Sequence, residues 1–392
     1  MNVAKVLLHE KALTLLQRLS PQRTASPHPT PPLILFQAYS VHIARFFTSI
    51  IHELHHRGVD MGLQIVRHPH FSPDETRALR RFAEEELSIP PERIMTYPES
   101  PSRRIDVLVC ADVYARFPRN TRRTCIIFHG PMLLQRNFKR FPFRKTVYQF
   151  DKAIVSGAYD LRLMEQQNRG RHNGFEAVVG GFPFLDILTA PTVSKEEYYR
   201  KLGLDPNKPT ILIGPNWEGL KLARNHGASY FEEIVNAVTS NKLNLLAKLH
   251  TCSYNPLMSG GVDWRDKLNS MASRGLLRVD PDPDDRQALL YCDILITDKS
   301  SRAFIFMLRG KPVIQYFPAE GPWDRWEELR LEQIRNGSLV AKRAADIPRL
   351  IGRVMRGEYH QLSAERVASD CIKHFGQATT VVSNLLLKWL HD

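Results

Sequence analysis

The stretch CDILITDKSSRAFIFMLRGKPVIQYF, residues 292–317, decides the fold of this chain. It contains two apolar runs of strand length, 293–298 and 312–317, separated by a helix-like segment at 300–309. Apolar strands that alternate with helices are typical of parallel sheets covered by helices on both faces. Ligands of such sheets bind beyond the carboxyl ends of the strands. Here the first strand ends in an acid, a base and two hydroxyls: Asp298, Lys299, Ser300 and Ser301.

The same alternation extends along most of the chain in two successive runs. The first run predicts helices at 41–57, 73–87 and 158–168 and strands at 33–39, 63–68, 105–110, 124–130, 152–157 and 176–183. The second predicts helices at 229–239, 263–273, 284–291, 300–309 and from 327 onward, and strands at 210–217, 243–250, 276–279, 293–298 and 312–317. We therefore predict an α/β protein with two doubly wound, Rossmann-like domains that face a cleft.

The length of the chain agrees with two domains, because 392 residues exceed the roughly 250–300 at which single cores stop growing. We place an N-terminal domain at 33–200 and a C-terminal domain at 201–392, after a helix and a Pro-rich linker at 1–32. Leucines recur on one face of residues 3–19, with basic residues elsewhere. This helix either packs on the body of the protein or lies on a membrane surface, and both interpretations stay open.

The composition indicates an anionic partner. The 54 Lys and Arg residues exceed the 41 Asp and Glu residues, giving a net charge of +13. No nucleic-acid-binding motif accompanies this charge, so we expect a phosphorylated substrate or an acidic membrane face rather than nucleic acid. The five cysteines show no CxxC spacing, and we see neither a secretory signal nor an apolar run of membrane-spanning length. These features favour a cytoplasmic protein with reduced cysteines.

The residues after the predicted strand at 293–298 are candidates for phosphate binding. Ser300 and Ser301 lie where a helix begins, so free backbone N–H groups, the helix dipole and two hydroxyls would meet a diphosphate. The alternative is that Asp298 or Ser300 only caps the helix. Lys299 adds a positive charge beside them.

Two histidines also follow apolar strands. His250 comes two residues after Lys248, where it would donate to a phosphate oxygen or protonate a leaving group. His129 precedes Gly130 at a predicted turn, where it would serve as a general base for a hydroxyl. For each histidine a purely structural role is the alternative. Gly181, Asn216 and Trp217 likewise follow predicted strands.

Other motifs give no evidence for a metal or a cofactor. His52, Glu53 and His56 match HExxH, but they close the first helix of a predicted βαβ unit and lack an evident third ligand. No P-loop occurs, and no GxGxxG follows the first strand, which argues against NAD. We expect no cofactor and no metal.

Five motifs, in order over residues 124–317, resemble those of the CDP-glycerol glycerophosphotransferase family of teichoic-acid primases and polymerases. One motif of that family, Thr-Asp-Tyr-Ser-Ser followed by a helix and Gly-Lys-Pro, resembles Thr297, Asp298, Ser300 and Ser301, then Gly310, Lys311 and Pro312, with Lys299 in place of Tyr. The other four resemble His129-Gly130; Gly181, Pro183 and Asp186; Pro215 and Trp217; Lys248 and His250. Phe184 and Glu218 replace arginines of the family's motifs.

The resemblance implies a GT-B architecture, with the nucleotide on the C-terminal domain and the acceptor on the N-terminal one. An acceptor hydroxyl would attack the β-phosphorus of CDP-glycerol, with His129 as base. His250, Ser300 and Ser301 would stabilise the departing CMP, while Asp298 would orient the donor or fix the loop. Gly130, Gly181, Asn216, Trp217, Lys248 and Lys299 would line the substrate site.

We therefore expect a transferase that moves glycerol phosphate from a nucleotide donor to an anionic polymer or a lipid-linked acceptor. Its expected location is the cytoplasm, with peripheral contact at the inner face of the cell membrane as an open addition. Two alternatives remain at this point. One is a GT-B glycosyltransferase that uses a CMP- or UDP-sugar, and the other is a nucleotide-binding protein without activity.

Overall fold

The computed structural model describes residues 31–67, 73–128, 130, 147–168, 174–216, 230–238, 242–256, 259, 261–282, 284–316, 325–359 and 361–391. Within these residues the strands form two parallel sheets, one of seven strands and one of six. The fold class predicted from the sequence is therefore confirmed.

The first sheet has the strand order β3-β2-β1-β4-β5-β6-β7. Its strands are β1 Leu33–Ala38, β2 Asp60–Ile65, β3 Ile94–Thr96, β4 Ile105–Cys110, β5 Thr121–Ile127, β6 Lys152–Val155 and β7 Glu176–Val179. Its helices are α1 Val41–Arg45, α2 Thr48–His56, α3 Pro73–Glu85 and α4 Ala158–Asn168. All six residues of β1 are buried, which explains why its sequence is almost continuously apolar.

The second sheet repeats this winding with the order β10-β9-β8-β11-β12-β13. Its strands are β8 Thr210–Ile213, β9 Asn244–Ala247, β10 Arg278–Val279, β11 Ile294–Thr297, β12 Val313–Tyr316 and β13 Leu339–Ala341. The helices from α5 onward are α5 Lys195–Leu202, α6 Tyr230–Val238, α7 Trp264–Ser273, α8 Arg286–Tyr291, α9 Arg302–Leu308, α10 Arg325–Asn336, α11 Ile347–Met355, α12 Gln361–Cys371 and α13 Ala378–His391.

Each sheet contributes to apolar clusters on both of its faces. In β1, Ile34 and Phe36 join one cluster, whereas Leu33 and Leu35 join another. Successive side chains of a strand point to opposite faces, so this division follows directly from the period of two. The second sheet is covered in the same way by two further clusters.

The last helix, α13, packs against the first sheet. Its Val382, Leu386 and Trp389 belong to the same cluster as Ile34 and Phe36 of β1. The chain thus returns from the second sheet to the first. The domain boundary at residue 200 stays a prediction. The packing of α13 on the first sheet was not predicted, because the position of a helix along the sequence does not show which sheet it covers.

Glycines allow the returning segment to pass close to the first sheet. A Cβ at Gly157 would lie 2.4 Å from the carbonyl oxygen of Cys371. Gly181 has a φ of +86°, and a Cβ there would lie 2.5 Å from the carbonyl oxygen of Lys373. In the described part of the chain, no helix combines the length and apolar character that crossing a bilayer requires.

Candidate active site

The carboxyl ends of the strands of the two sheets approach each other at a pair of histidines. His42 lies in α1, which begins shortly after β1, and His250 follows β9. Their ring centroids are 5.7 Å apart with an interplanar angle of 73°. Because carboxyl-terminal strand edges bind ligands in doubly wound folds, this contact locates the cleft between the sheets.

The second sheet has its topological switch point between β8 and β11, which are neighbours in the sheet. Asn216 follows β8, and its backbone N–H donates to Oδ1 of Asp298 at 2.8 Å. The hydroxyl of Thr297 donates to the carbonyl oxygen of Gly214 at 2.8 Å. These two bonds tie together the segments between which such folds bind nucleotides.

Asp298 is buried, and its Oδ2 has no hydrogen-bond partner among the described residues. Burial raises the pKa of this carboxyl above its usual value, although the Asn216 N–H and the charge of Lys299 both act to lower it. The carboxyl group that joins the two segments therefore pairs through one oxygen only, within the part of the chain that the structure describes.

The two serines after β11 differ in exposure, because Ser300 is buried and Ser301 is partly exposed. Their carbonyl oxygens accept from the N–H groups of Ala303 and Phe304, each at 3.1 Å, and Oγ of Ser300 accepts from N–H of Arg302 at 3.4 Å. Free N–H groups were expected here, but the N–H groups of Arg302, Ala303 and Phe304 have these partners.

Arg302 joins three parts of the second sheet beneath these serines. Its Nε and Nη2 donate to the two carboxylate oxygens of Asp285, at 2.8 and 2.9 Å. Its Nη1 donates to the carbonyl oxygen of Lys248 at 2.7 Å. The buried guanidinium thus fixes the start of α9 relative to the strand end that leads to His250. Gly214 makes room for it, since a Cβ there would lie 2.9 Å from Nη1.

The ammonium group of Lys248 points into the protein. The residue is 2% exposed, and Nζ donates to Oδ2 of Asp280 at 2.9 Å and to the carbonyl oxygen of Asp282 at 2.5 Å. The hydroxyl of Tyr198 donates to the same Asp280 oxygen at 2.7 Å. Substrate binding by Lys248 stays a prediction, while its contacts in this structure hold the strand end in place.

Four further predicted residues remain to be located. Gly181 lies at the crossing of the returning segment, and Gly130 is buried. His129 and Trp217 lie outside the described residues. Asp186, from the motif that includes Gly181, accepts from N–H of Thr379 at 2.6 Å near the start of α13.

The HExxH segment has no metal-binding geometry within the described residues. A ring nitrogen of His52 lies 2.7 Å from the carbonyl oxygen of Glu86, and no group of three His, Cys, Asp or Glu side chains suited to a metal occurs in this part of the chain. Four cysteines of the described residues are buried: Cys110, Cys125, Cys292 and Cys371.

Arg302, Asp285 and His42 were not predicted from the sequence. Arg302 directly follows Ser301 and is the one charged residue in the segment RAFIFML, which is a signal that could have been used. The sequence near His42 does not indicate a functional role, because the contact that places it in the cleft is with His250, more than two hundred residues away.

Comparison with solved structures supports this architecture. The wall teichoic acid polymerase TagF matches with a TM-score of 0.61 and 14% identity, over 99% of this chain and 97% of that one. UDP-GlcNAc 2-epimerase from Neisseria meningitidis, bound to UDP-GlcNAc, matches with a TM-score of 0.55 and 12% identity, over 92% and 100%. The S. aureus MnaA–UDP structure gives 0.57 and 14%, over 92% and 97%. At these identities the likeness concerns the fold.

Two Rossmann-like sheets with a cleft at their carboxyl edges define a GT-B-type protein. The family model described as CDP-glycerol:poly(glycerophosphate) glycerophosphotransferase matches residues 129–333, just over half of the chain. The chain therefore belongs to this family and is a CDP-glycerol glycerophosphotransferase-type enzyme, as its motifs indicated. No curated protein matches the sequence.

Proposed function

We propose that this enzyme transfers glycerol phosphate from CDP-glycerol to a hydroxyl group of a cell-wall polymer or of a lipid-linked acceptor. The observation that carries the proposal is the family match over residues 129–333, because this range contains both strand ends with candidate donor-binding residues. The wall teichoic acid polymerase TagF, including a form soaked with CDPG, shares the fold.

The donor diphosphate is proposed to lie after β11. The partly exposed Ser301 offers a hydroxyl, and the buried Lys299 and Ser300 directly precede it. Positioned donors of this kind stabilise charge that develops on phosphoryl oxygens during transfer. Asn216 lies beside them through its bond to Asp298, whose role is to join the two segments.

The reaction is a single displacement at phosphorus. The acceptor oxygen forms a bond to the β-phosphorus of CDP-glycerol, the bond to the bridging oxygen breaks, and the electron pair leaves with CMP. The acceptor's proton passes to His129, the predicted base. His250 donates to the phosphate of the departing CMP, and the Arg302–Asp285 pair keeps the strand end before His250 in position.

The acceptor is proposed to be anionic and to enter from the side of the first sheet. A net charge of +13 favours such a partner. Residues 3–19 lie outside the described range, and their contact with an acidic membrane face is a separate part of this proposal.

A transfer assay tests the proposal. Purified enzyme is incubated with glycerol-labelled CDP-glycerol and a poly(glycerophosphate) or lipid-linked acceptor, and both CMP release and label in the acceptor are measured. We expect wild-type turnover, a loss of at least about 100-fold for His250→Ala, and unchanged turnover for His56→Ala, an exposed histidine of α2. Absence of wild-type transfer, or transfer from UDP-sugars instead, would contradict the proposal.

A further inference from the structure

A second histidine of the cleft, His42, has no role in the reaction as described so far. It is the second residue of α1 and belongs to the first sheet, whereas its neighbour His250 belongs to the second. The two rings are 5.7 Å apart, His42 is exposed and His250 is partly exposed. A ligand that contacts one imidazole at this position can therefore contact both.

The orientation of His42 is fixed by aromatic side chains. Its ring packs edge-on against Phe46 at 5.1 Å. Phe46 in turn stacks on Phe182 at 5.7 Å and contacts Phe184 at 4.8 Å. Phe184 stands where the related motif has an arginine. This cluster joins the first sheet to the segment that leads into the second, so it holds the imidazole at the mouth of the cleft.

The charge of this arrangement selects the ligand. Two protonated imidazoles at this separation repel each other, and a diphosphate that carries two negative charges and accepts from both rings offsets this repulsion. A phosphoryl group also presents oxygens in several directions. The start of α1 carries a carboxylate as well, because Glu75 accepts from N–H of Val41 at 2.9 Å, so a bound anion must be held by the two rings rather than by the helix end.

We propose that His42 binds the transferring phosphoryl group of the donor, opposite His250. This inference rests on the proposed function, and it adds a residue of the first sheet to the donor site. In the reaction, His42 donates to a non-bridging oxygen of the β-phosphoryl group, while His250 donates to the α-phosphate, which leaves as part of CMP.

The comparison of CDP with CMP tests this assignment, because only CDP carries the β-phosphoryl group. Binding of both nucleotides is measured by calorimetry for wild type, His42→Gln, His42→Arg and the control His56→Gln. We expect His42→Gln to weaken the binding of CDP about tenfold or more, as for loss of a charged hydrogen bond, and to leave the binding of CMP unchanged. His42→Arg, which keeps a cationic donor, should regain part of the CDP affinity, and His56→Gln should match wild type.

The outcomes separate this inference from the proposed function. Equal weakening of CDP and CMP by His42→Gln would mean that His42 only shapes the cleft, and unchanged affinity for both would mean that it does not bind. Either result overturns the inference and leaves the donor site standing. If wild type binds neither nucleotide, the proposed donor site fails, and the inference fails with it. Thermal unfolding of each variant verifies that it is folded.

Discussion

Replacing Arg302 with methionine tests the account of the buried network beneath the donor site. The guanidinium makes three hydrogen bonds, two to the carboxylate of Asp285 and one to the carbonyl oxygen of Lys248, at 2.7–2.9 Å. Methionine fills a similar volume but donates to none of them. The substitution therefore leaves a carboxylate and a carbonyl oxygen without their donor.

The expected cost follows from the burial of the two partners. Removing one partner of a buried ion pair costs about 3–5 kcal/mol, because the other charge remains desolvated. The side chain of Arg302 is 9% exposed and that of Asp285 is 27% exposed, so water compensates Asp285 in part. We expect Arg302→Met to lower the free energy of unfolding by about 3 kcal/mol.

Urea denaturation followed by circular dichroism measures this change. The control is Arg77→Met, which removes a pair with Asp74 whose side chains are 70% and 78% exposed, and it should have little effect. Adding Asp285→Ala to Arg302→Met should restore part of the loss, since the carboxylate that has lost its guanidinium partner is then removed. A loss below about 1 kcal/mol for Arg302→Met, as expected of a surface pair, would refute the reasoning.

Three further predictions concern single positions. In urea denaturation, Gly181→Ala should lower the free energy of unfolding by about 2 kcal/mol more than Gly275→Ala does. Both glycines have a positive φ, but only at Gly181 would a Cβ lie 2.5 Å from a carbonyl oxygen. Equal losses for the two variants would argue against this clash. Burial lowers the pKa of Lys311 to about 8, so the folded chain binds fewer protons than the unfolded one between about pH 8 and 10. The stability of wild type relative to Lys311→Met should therefore rise over this range, and a constant difference would contradict it. Burial raises the pKa of Asp298, so wild type should lose stability relative to Asp298→Asn as pH rises from about 4 through that raised pKa; parallel pH profiles in urea would rule this out.

The sheet strands could be predicted because their burial on both faces leaves continuous apolar runs. Residues 105–110 were predicted as a strand and form β4 with the same bounds. The short edge strands β3 and β13 were missed, because each has three residues and β3 is only partly buried. Such strands exist by pairing with a neighbour and carry little signal of their own.

The location of the candidate site was predictable for a different reason. Polar residues that end buried strands must gather at one edge of a parallel sheet, so Asp298 and His250 could be placed in the cleft from the sequence. Which polar groups pair with each other depends on contacts between distant positions. Lys248 was predicted to bind substrate, and the sequence did not indicate that its ammonium donates to Asp280. The pairing of Arg302 with Asp285, next to the serines, was also not predicted.

The central claim, that the donor diphosphate binds after β11, is tested most directly by calorimetric titration of CDP-glycerol. Wild type and the double variant Ser300→Ala/Ser301→Ala are compared, with UDP-GlcNAc as the competing ligand class. The account predicts that wild type binds CDP-glycerol in preference to UDP-GlcNAc and that the double variant loses at least about tenfold in affinity. Equal binding by the double variant would show that the serines only begin a helix, and preference for UDP-GlcNAc would contradict the assigned donor.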